Sequence, residues 1–456
     1  MATSSRTSHD VDVDEQAGYL ELLRGNVNFR RLWAGTLISY LGDWFNTIAL
    51  YTLVSTITGS PGALGAVFLA KMLPWAVVAP VAGVIVDRVN RRRLMIGADI
   101  ARAVVVLGFL FIDDPADIPW LYVLIIAQVV IGAVFQPAKS ASIPNITTPR
   151  ELLTANAISS ATWSTMLAVG AALGGFATEW LGAEAVFYID SATYLVSAVF
   201  IYGTTIPQDT EEGEKGLIRS GFREIVDGWT HLNSKPRVRR IALAKGTWAV
   251  GGGALVYMLT LIGDQIQPGA VAAGIGVLFM ARGIGTGLGP VVARALFTDR
   301  DKWPTVIGFA IATCGLFYLS VGLIPWSPTI AGIAVICVLV VIGHAASAAN
   351  WVLSTVMLQK RTEDRFRGRI FSTEWLMVMV AESVSIFAAS MLLEYDVLSL
   401  RGAVIAFASL QIASGLLWIP LVVPKERQDD AARSETSDSE AEADETADRE
   451  PAVAEG

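Results

Sequence analysis

Long apolar runs alternate with short polar breaks along most of this chain. Nearly unbroken hydrophobic windows fall at about 33–57, 63–86, 94–112, 120–138, 155–178 and 184–203. After one longer polar interval they resume at about 241–263, 271–293, 304–323, 329–352, 370–393 and 402–423. Each is long enough to cross a hydrocarbon core as a helix with some tilt. Backbone polar groups in lipid must bond within their own segment. The pattern therefore predicts an all-α integral membrane protein with twelve transmembrane helices.

Composition agrees, because a soluble domain that is 53% hydrophobic and only 17% charged would expose large sticky patches. The two cysteines, Cys314 and Cys337, both lie inside windows, so no disulfide framework is implied. Residues 1–32 form a polar N-terminal segment whose first part, to about Gln16, is acidic and lacks a signal-peptide core. The first window is then its own insertion signal.

Charge sets the expected orientation. Of the 34 Lys and Arg, four lie inside windows and one, Arg401, falls in an odd-numbered loop; the rest sit at the termini and in even-numbered loops. The positive-inside rule then places both termini in the cytoplasm of a multi-pass protein of the cell membrane. From Pro424 onward twelve acids face four bases, which accounts for the whole net charge of −8. This 424–456 segment reads as a disordered acidic cytoplasmic tail. Between the halves, the cytoplasmic linker 204–240 spaces Leu217, Ile218, Phe222, Ile225, Val226 and Trp229 as one face of an amphipathic helix.

The two halves, 33–203 and 241–423, are expected to be six-helix pseudo-repeat bundles. Gly65–Lys71 (GAVFLAK) in the second window parallels Gly276–Arg282 (GVLFMAR) in the eighth, each placing one cation at the same depth of an apolar helix. The glycine run Gly283–Gly289 has no following Lys-Ser/Thr and no preceding strand, so it is not a phosphate loop. It reads, like Gly170–Gly175, as a surface for close helix packing.

Between the second and third windows stand Gly83, Asp87, Arg88, Arg91 and Arg92. A tight basic turn of this kind resembles the signature loop of the major facilitator superfamily, although Asn90 stands where that pattern prefers glycine. Three further segments carry the likeness: Leu41-Gly42-Asp43-Trp44; Phe135-Gln136-Pro137-Ala138 through Ile143-Pro144 to Leu153-Thr154-Ala155-Asn156-Ala157; and Met357-Leu358-Gln359-Lys360 followed by Arg367-Gly368-Arg369-Ile370-Phe371-Ser372. Together they resemble the branch containing macrolide-efflux-like and enterobactin-exporter-like proteins, over about Arg30 to Val423. The resemblance implies a cytoplasmic gate in which Asp87 faces Arg91, Arg92 and the start of the eleventh helix near Arg367, Gly368 and Arg369. Such a latch would bias the access equilibrium without touching substrate.

Ionisable residues inside a membrane are costly and normally face a cavity or a partner. Asp43, with Asn46 and Thr47 extending its polar face, is a candidate for proton coupling or else a structural acid. Lys71 and Arg282 are its natural partners or the holders of an anionic substrate. Glu382 and His344 are the further protonation candidates, and Glu374 lies nearer the cytoplasmic end of the same helix as Glu382. Asp99 and Arg102, three apart, are expected to pair, and Asp190 to brace the bundle. Trp44, Phe45, Phe68 and Trp75 are available for an apolar wall.

No nucleophile–base set or metal cluster appears, so no enzymatic activity, metal or cofactor is expected. The expectation is a monomeric secondary active transporter, drawing on an ion gradient (H⁺ foremost) and exporting an amphipathic or anionic, drug- or siderophore-like small molecule. Its contacts would be substrate and membrane lipid, with no nucleic acid. A lysolipid or lipid flippase and a non-transporting sensor or scaffold are the alternatives.

Overall fold

The computed structural model describes residues 16–208 and 217–447; within these, the side chains of residues 80, 84, 87, 217–225, 364, 365 and 433–447 are not described. In chain order the helices are α1 (Tyr19–Gly25), α2 (Val27–Thr58), α3 (Pro61–Arg88), α4 (Arg91–Leu107), α5 (Ile118–Ile146), α6 (Pro149–Thr165) and α7 (Ala171–Tyr202). There follow α8 (Leu217–Ser234), α9 (Pro236–Ile266), α10 (Val271–Leu296), α11 (Trp303–Leu323), α12 (Ile330–Arg361), α13 (Asp364–Glu394) and α14 (Leu400–Ala447).

Helix starts follow local chemistry. The Asn26 and Ser60 side chains accept the N–H groups of Phe29 and Ala63 at 2.9 Å each. Asn90 accepts from Arg93 N–H at 3.0 Å with φ of −57°. Asn90 therefore serves as the N-cap of α4, and needs no left-handed turn.

Ten helical stretches are long and apolar enough to cross a membrane. One of these, Pro149–Tyr202, contains two spans. A π-helical turn over Met166–Gly170 carries α6 into α7, and the chain then breaks at Gly182, whose φ of 84° no L side chain adopts easily. The remaining span is α2, made less apolar by Tyr40, Asp43, Asn46 and Thr47. The fold is thus twelve membrane helices.

The same packing plan occurs twice. In the first half α4 packs on α7 and α3 on α5; in the second α11 packs on α14 and α10 on α12. The halves meet where α3 lies on α13 and α7 on α10. Both described chain ends lie at one end of the bundle, called here the terminal end.

The buried core is divided unevenly along the membrane normal. At the far end a single cluster joins both halves, from Ile48, Leu64 and Phe109 to Leu255, Ile386 and Ala403. At the terminal end each half has its own cluster, one around Phe29, Met95 and Ala138, the other around Ile241, Leu353 and Ile370. Far-end closure is reinforced by Glu394, which accepts from Ser60 Oγ at 2.7 Å and Gly62 N–H at 2.8 Å. Tyr257 O–H donates to the Pro61 carbonyl at 2.7 Å.

Several helices run further at the terminal end than their apolar windows. For example, α12 continues to Arg361 and α9 begins at Pro236, because polar residues there pair with one another instead of facing lipid. Of the expected disordered tail, the part up to Ala447 is instead helical, as α14 continues past Pro424, and residues 448–456 lie outside the described residues. Buried Glu426 accepts from Arg240 Nε at 2.7 Å and forms an ion pair with Arg361 Nη2 at 2.6 Å, Asp429 bonds Arg240, and Asp430 bonds Arg237.

Candidate functional site

Two groups of charged side chains occupy mid-membrane, one in each half. In the first, Tyr194 of α7 donates a hydrogen bond to Asp43 Oδ1, and Arg102 Nη1 of α4 lies 4.0 Å from the same oxygen. Arg102 is itself held by Asp99, and its guanidinium stacks 4.2 Å above the Tyr194 ring and 4.8 Å above that of Phe135. Gln128 donates to Tyr194 Oη at 3.1 Å, and Asn46 Nδ2 to buried Asp190 at 2.7 Å. Asp99 and Asp190 are fully buried, whereas the Asp43 side chain is 34% exposed. Asp43 is thus the least buried of these three acids.

The structure does not pair Asp43 with either expected cation. Lys71 instead donates to Thr47 Oγ1 at 2.6 Å, and Arg282 belongs to the other half. Arg102 takes the place assigned to Lys71, because its longer planar fork reaches both Asp99 and Asp43 from α4.

In the second half a cavity of about 360 Å³ lies between the bundles. Arg282, Glu382 and His344 stand at its deeper side, with Trp163, Trp248, Trp351 and Trp375 among its walls. His344 is bonded to Tyr318 Oη of α11 at 2.8 Å. Trp375 also meets Trp75 of the first half, ring centroids 6.1 Å apart. Above the cavity the aromatic residues form a roof: Tyr51 stacks on Phe68 at 4.5 Å, Phe68 meets Tyr257 edge-on at 5.5 Å, and Trp44 lies 6.2 Å from Phe279. Trp44 and Phe68 therefore seal the far end, and do not line the cavity.

Behind the tryptophans Lys245 of α9 and Glu374 of α13 form a buried ion pair, at 3.0 Å with side chains 4% and 1% exposed. Lys245 Nζ also lies 5.1 Å from the Trp351 ring centroid. The sequence marks Lys245 only as an intramembrane cation. Lys139, which donates to Tyr40 Oη at 2.8 Å, falls one residue past an expected window, and α5 extends beyond it. Tyr194 and Tyr318 carry no sequence signal apart from their aromatic character.

The structure describes the gate residues only in part. Arg91 Nη1 donates to the Ala141 carbonyl at 2.9 Å, and Arg92 bonds the Tyr202 carbonyl, so both brace the first half. Arg369 lies 3.5 Å from Asp227 of α8. A Cβ at Gly83 or Gly368 would meet nothing within 4 Å. The Asp87 side chain, and with it the expected latch, lies outside the described residues. So do Leu217, Ile218, Phe222 and Ile225 of the linker face; Gly228 of α8 packs against Thr373 and Arg369. Arg88 and Arg367 both have interactions of their own.

Two structurally repeated six-helix halves, joined at one end around a charged cavity, define a membrane carrier. The chain belongs to the Major Facilitator Superfamily, whose model matches residues 32–327. It is 25% identical over 346 residues to BacE of Bacillus subtilis, a proposed bacilysin exporter, covering 76% of this chain and 84% of that protein. It is 23% identical over 371 residues to macrolide efflux protein A of Streptococcus pyogenes, covering 80% and 89%. A shorter match, 29% identical over 189 residues, joins it to the uncharacterized transporter YfiS of Bacillus subtilis, spanning 41% of this chain and 44% of that protein. Among solved structures the nucleoside transporter NupG superposes with a TM-score of 0.67 at 11% identity, covering 86% of this chain and 98% of that one. That last likeness concerns the fold. The efflux-type relatives agree with the branch indicated by the sequence motifs.

Proposed function

We propose that this transporter exports a small molecule across the cell membrane by proton-coupled antiport, with both termini in the cytoplasm. The observation carrying this reading is the division of the core: one cluster seals both halves at the far end, while separate clusters leave a charged cavity at mid-depth on the terminal side. A far-end seal with separate terminal-end cores is one of the two states that alternating access requires. The arginine- and lysine-rich termini and even-numbered loops support a cytoplasmic terminal side. The efflux-type relatives support export as the direction.

Energy from a gradient needs a site that exchanges protons. Asp43 accepts from Tyr194 of α7 and lies 4.0 Å from Arg102 of α4, and it is the acid assigned here to coupling. Glu382 stands in the substrate cavity, where a proton and a cationic substrate group compete for one carboxylate. His344 is engaged by Tyr318 and serves to position the cavity wall.

The test is purified protein in liposomes holding a pH-sensitive dye, screened against candidate substrates under an imposed pH gradient. Substrate-dependent proton flux supports the reading, and substrate movement without proton flux rejects the coupling. A second reading, lysolipid flipping, draws on an apolar groove of about 730 Å³ bounded by Val226 and Trp229 of α8, Leu243 of α9 and Met377 and Val380 of α13. Fluorescent lysolipid moving between leaflets, with no soluble compound transported, would favour it.

A further inference from the structure

The mid-membrane charges named above nearly all have a polar or charged partner. Asp99 is bonded to Arg102, Asp43 to Tyr194, Asp190 to Asn46, Lys71 to Thr47, and Lys245 to Glu374. Arg282 and Glu382 differ. Both line the cavity, yet among the described residues neither makes an ion pair or a side-chain hydrogen bond, and Arg282 Nε is buried without a partner. They are therefore held apart, in one cavity, with no N···O approach as close as 4.0 Å. Two opposite charges that face one cavity without pairing leave it with a donor group and an acceptor group available to a guest.

Resting on the carrier reading above, the geometry points to a compact zwitterion with an aromatic or apolar body, an amino-acid- or dipeptide-like molecule, as the substrate class of this cavity. A guest with a carboxylate at one end and an ammonium at the other satisfies both residues at once. The Arg282 guanidinium presents parallel N–H donors suited to a carboxylate. Glu382 accepts from the ammonium, and Trp163, Trp248, Trp351 and Trp375, which line the same cavity, surround the apolar body. An exclusively anionic guest leaves Glu382 repelling it, and a cation leaves Arg282 doing so. A volume of about 360 Å³ lies at the small end of the roughly 300–1,000 Å³ usual for ligand pockets, which disfavours macrocycles and large siderophores.

The test is equilibrium binding to the full chain in nanodiscs, read by tryptophan fluorescence. The probes are phenylalanyl-alanine and phenylalanine, each in four forms: the free zwitterion, the methyl ester, the N-acetyl acid and the doubly blocked neutral compound. At least one scaffold should bind about tenfold tighter as the zwitterion than in any other form. Arg282→Gln should erase the advantage of the free carboxylate while leaving that of the free amine, and Glu382→Gln should do the reverse. Equal binding of all forms, a best-binding neutral form, or no binding of either scaffold overturns the assignment. So does an equal loss across all forms in both variants, which would mark a packing effect.

The same probes in liposomes separate this inference from the carrier reading. Charge-selective binding with no transmembrane movement of any compound keeps the zwitterion site and overturns transport. Transport of another compound with no charge selectivity here overturns the zwitterion site alone.

Discussion

A carboxylate in the membrane is tolerated only through its neighbours, and for Asp43 these are Tyr194 and Arg102. Asp43→Asn preserves shape and removes the titrating group, so gradient-driven transport should fall to background while insertion and folding persist. Unchanged pumping by this variant would show that coupling lies elsewhere. The Lys245–Glu374 pair makes a different prediction because both members are buried. Lys245→Met leaves Glu374 unpaired and should cost about 3–5 kcal/mol of stability. The double variant Lys245→Met/Glu374→Leu should recover most of that loss in thermal unfolding of the detergent-solubilised protein. If the double variant is as unstable as the single, the pair contributes through its packing on Trp351 and not through charge. The intramembrane acids were legible from sequence because a charge stands out against an apolar run. Their partners were not, since pairing depends on which helix lies beside which: Arg102 reaches Asp43 from α4, whereas Lys71, the repeat-related choice, turns to Thr47.

At the level of helices, the seam between the halves depends on residues with no side chain. A Cβ on Gly175 of α7 would lie 2.9 Å from the Gly276 Cα of α10, and one on Gly276 would lie 2.9 Å from the Gly175 Cα. A Cβ on Gly283 would come within 2.6 Å of the Ala168 Cα. The glycine run in α10 is thus a contact surface, as its sequence suggested. Gly276→Val should wedge α7 and α10 apart and shift the protein toward a state open at the far end. Distances between spin labels at Ser60 and Tyr395 should then lengthen relative to the parent; an unchanged distance distribution would mean that the seam yields locally without reorienting the halves. Spans were legible in position because hydrophobicity and length suffice for them. Their terminal-end boundaries were not, as α5 runs on through Pro144 to Ile146 and α13 begins with polar residues, both beyond what apolarity marks.

For the molecule as a whole, the clasp of Glu426, Asp429 and Asp430 on Arg237, Arg240 and Arg361 joins the end of the last span to the start of α9 and the end of α12. Removing residues 425–456 should therefore lower the melting temperature of the full protein, whereas removing only 433–456 should leave it near the parent. Equal melting of both truncations and the parent would make the clasp energetically idle. The acidic segment was conspicuous in sequence but read as solvated, because composition alone does not show that its first acids meet three arginines from elsewhere in the chain. Those arginines also have a history during synthesis. α9 and α12 leave the ribosome before residue 426 exists, so Arg237, Arg240 and Arg361 are uncompensated while the orientation of their helices is being decided, when positive charge counts most. Once α14 is made, the same charges are neutralised and become part of a folded interface. The chain thus carries topogenic signals that are silenced by its own last segment after they have been read.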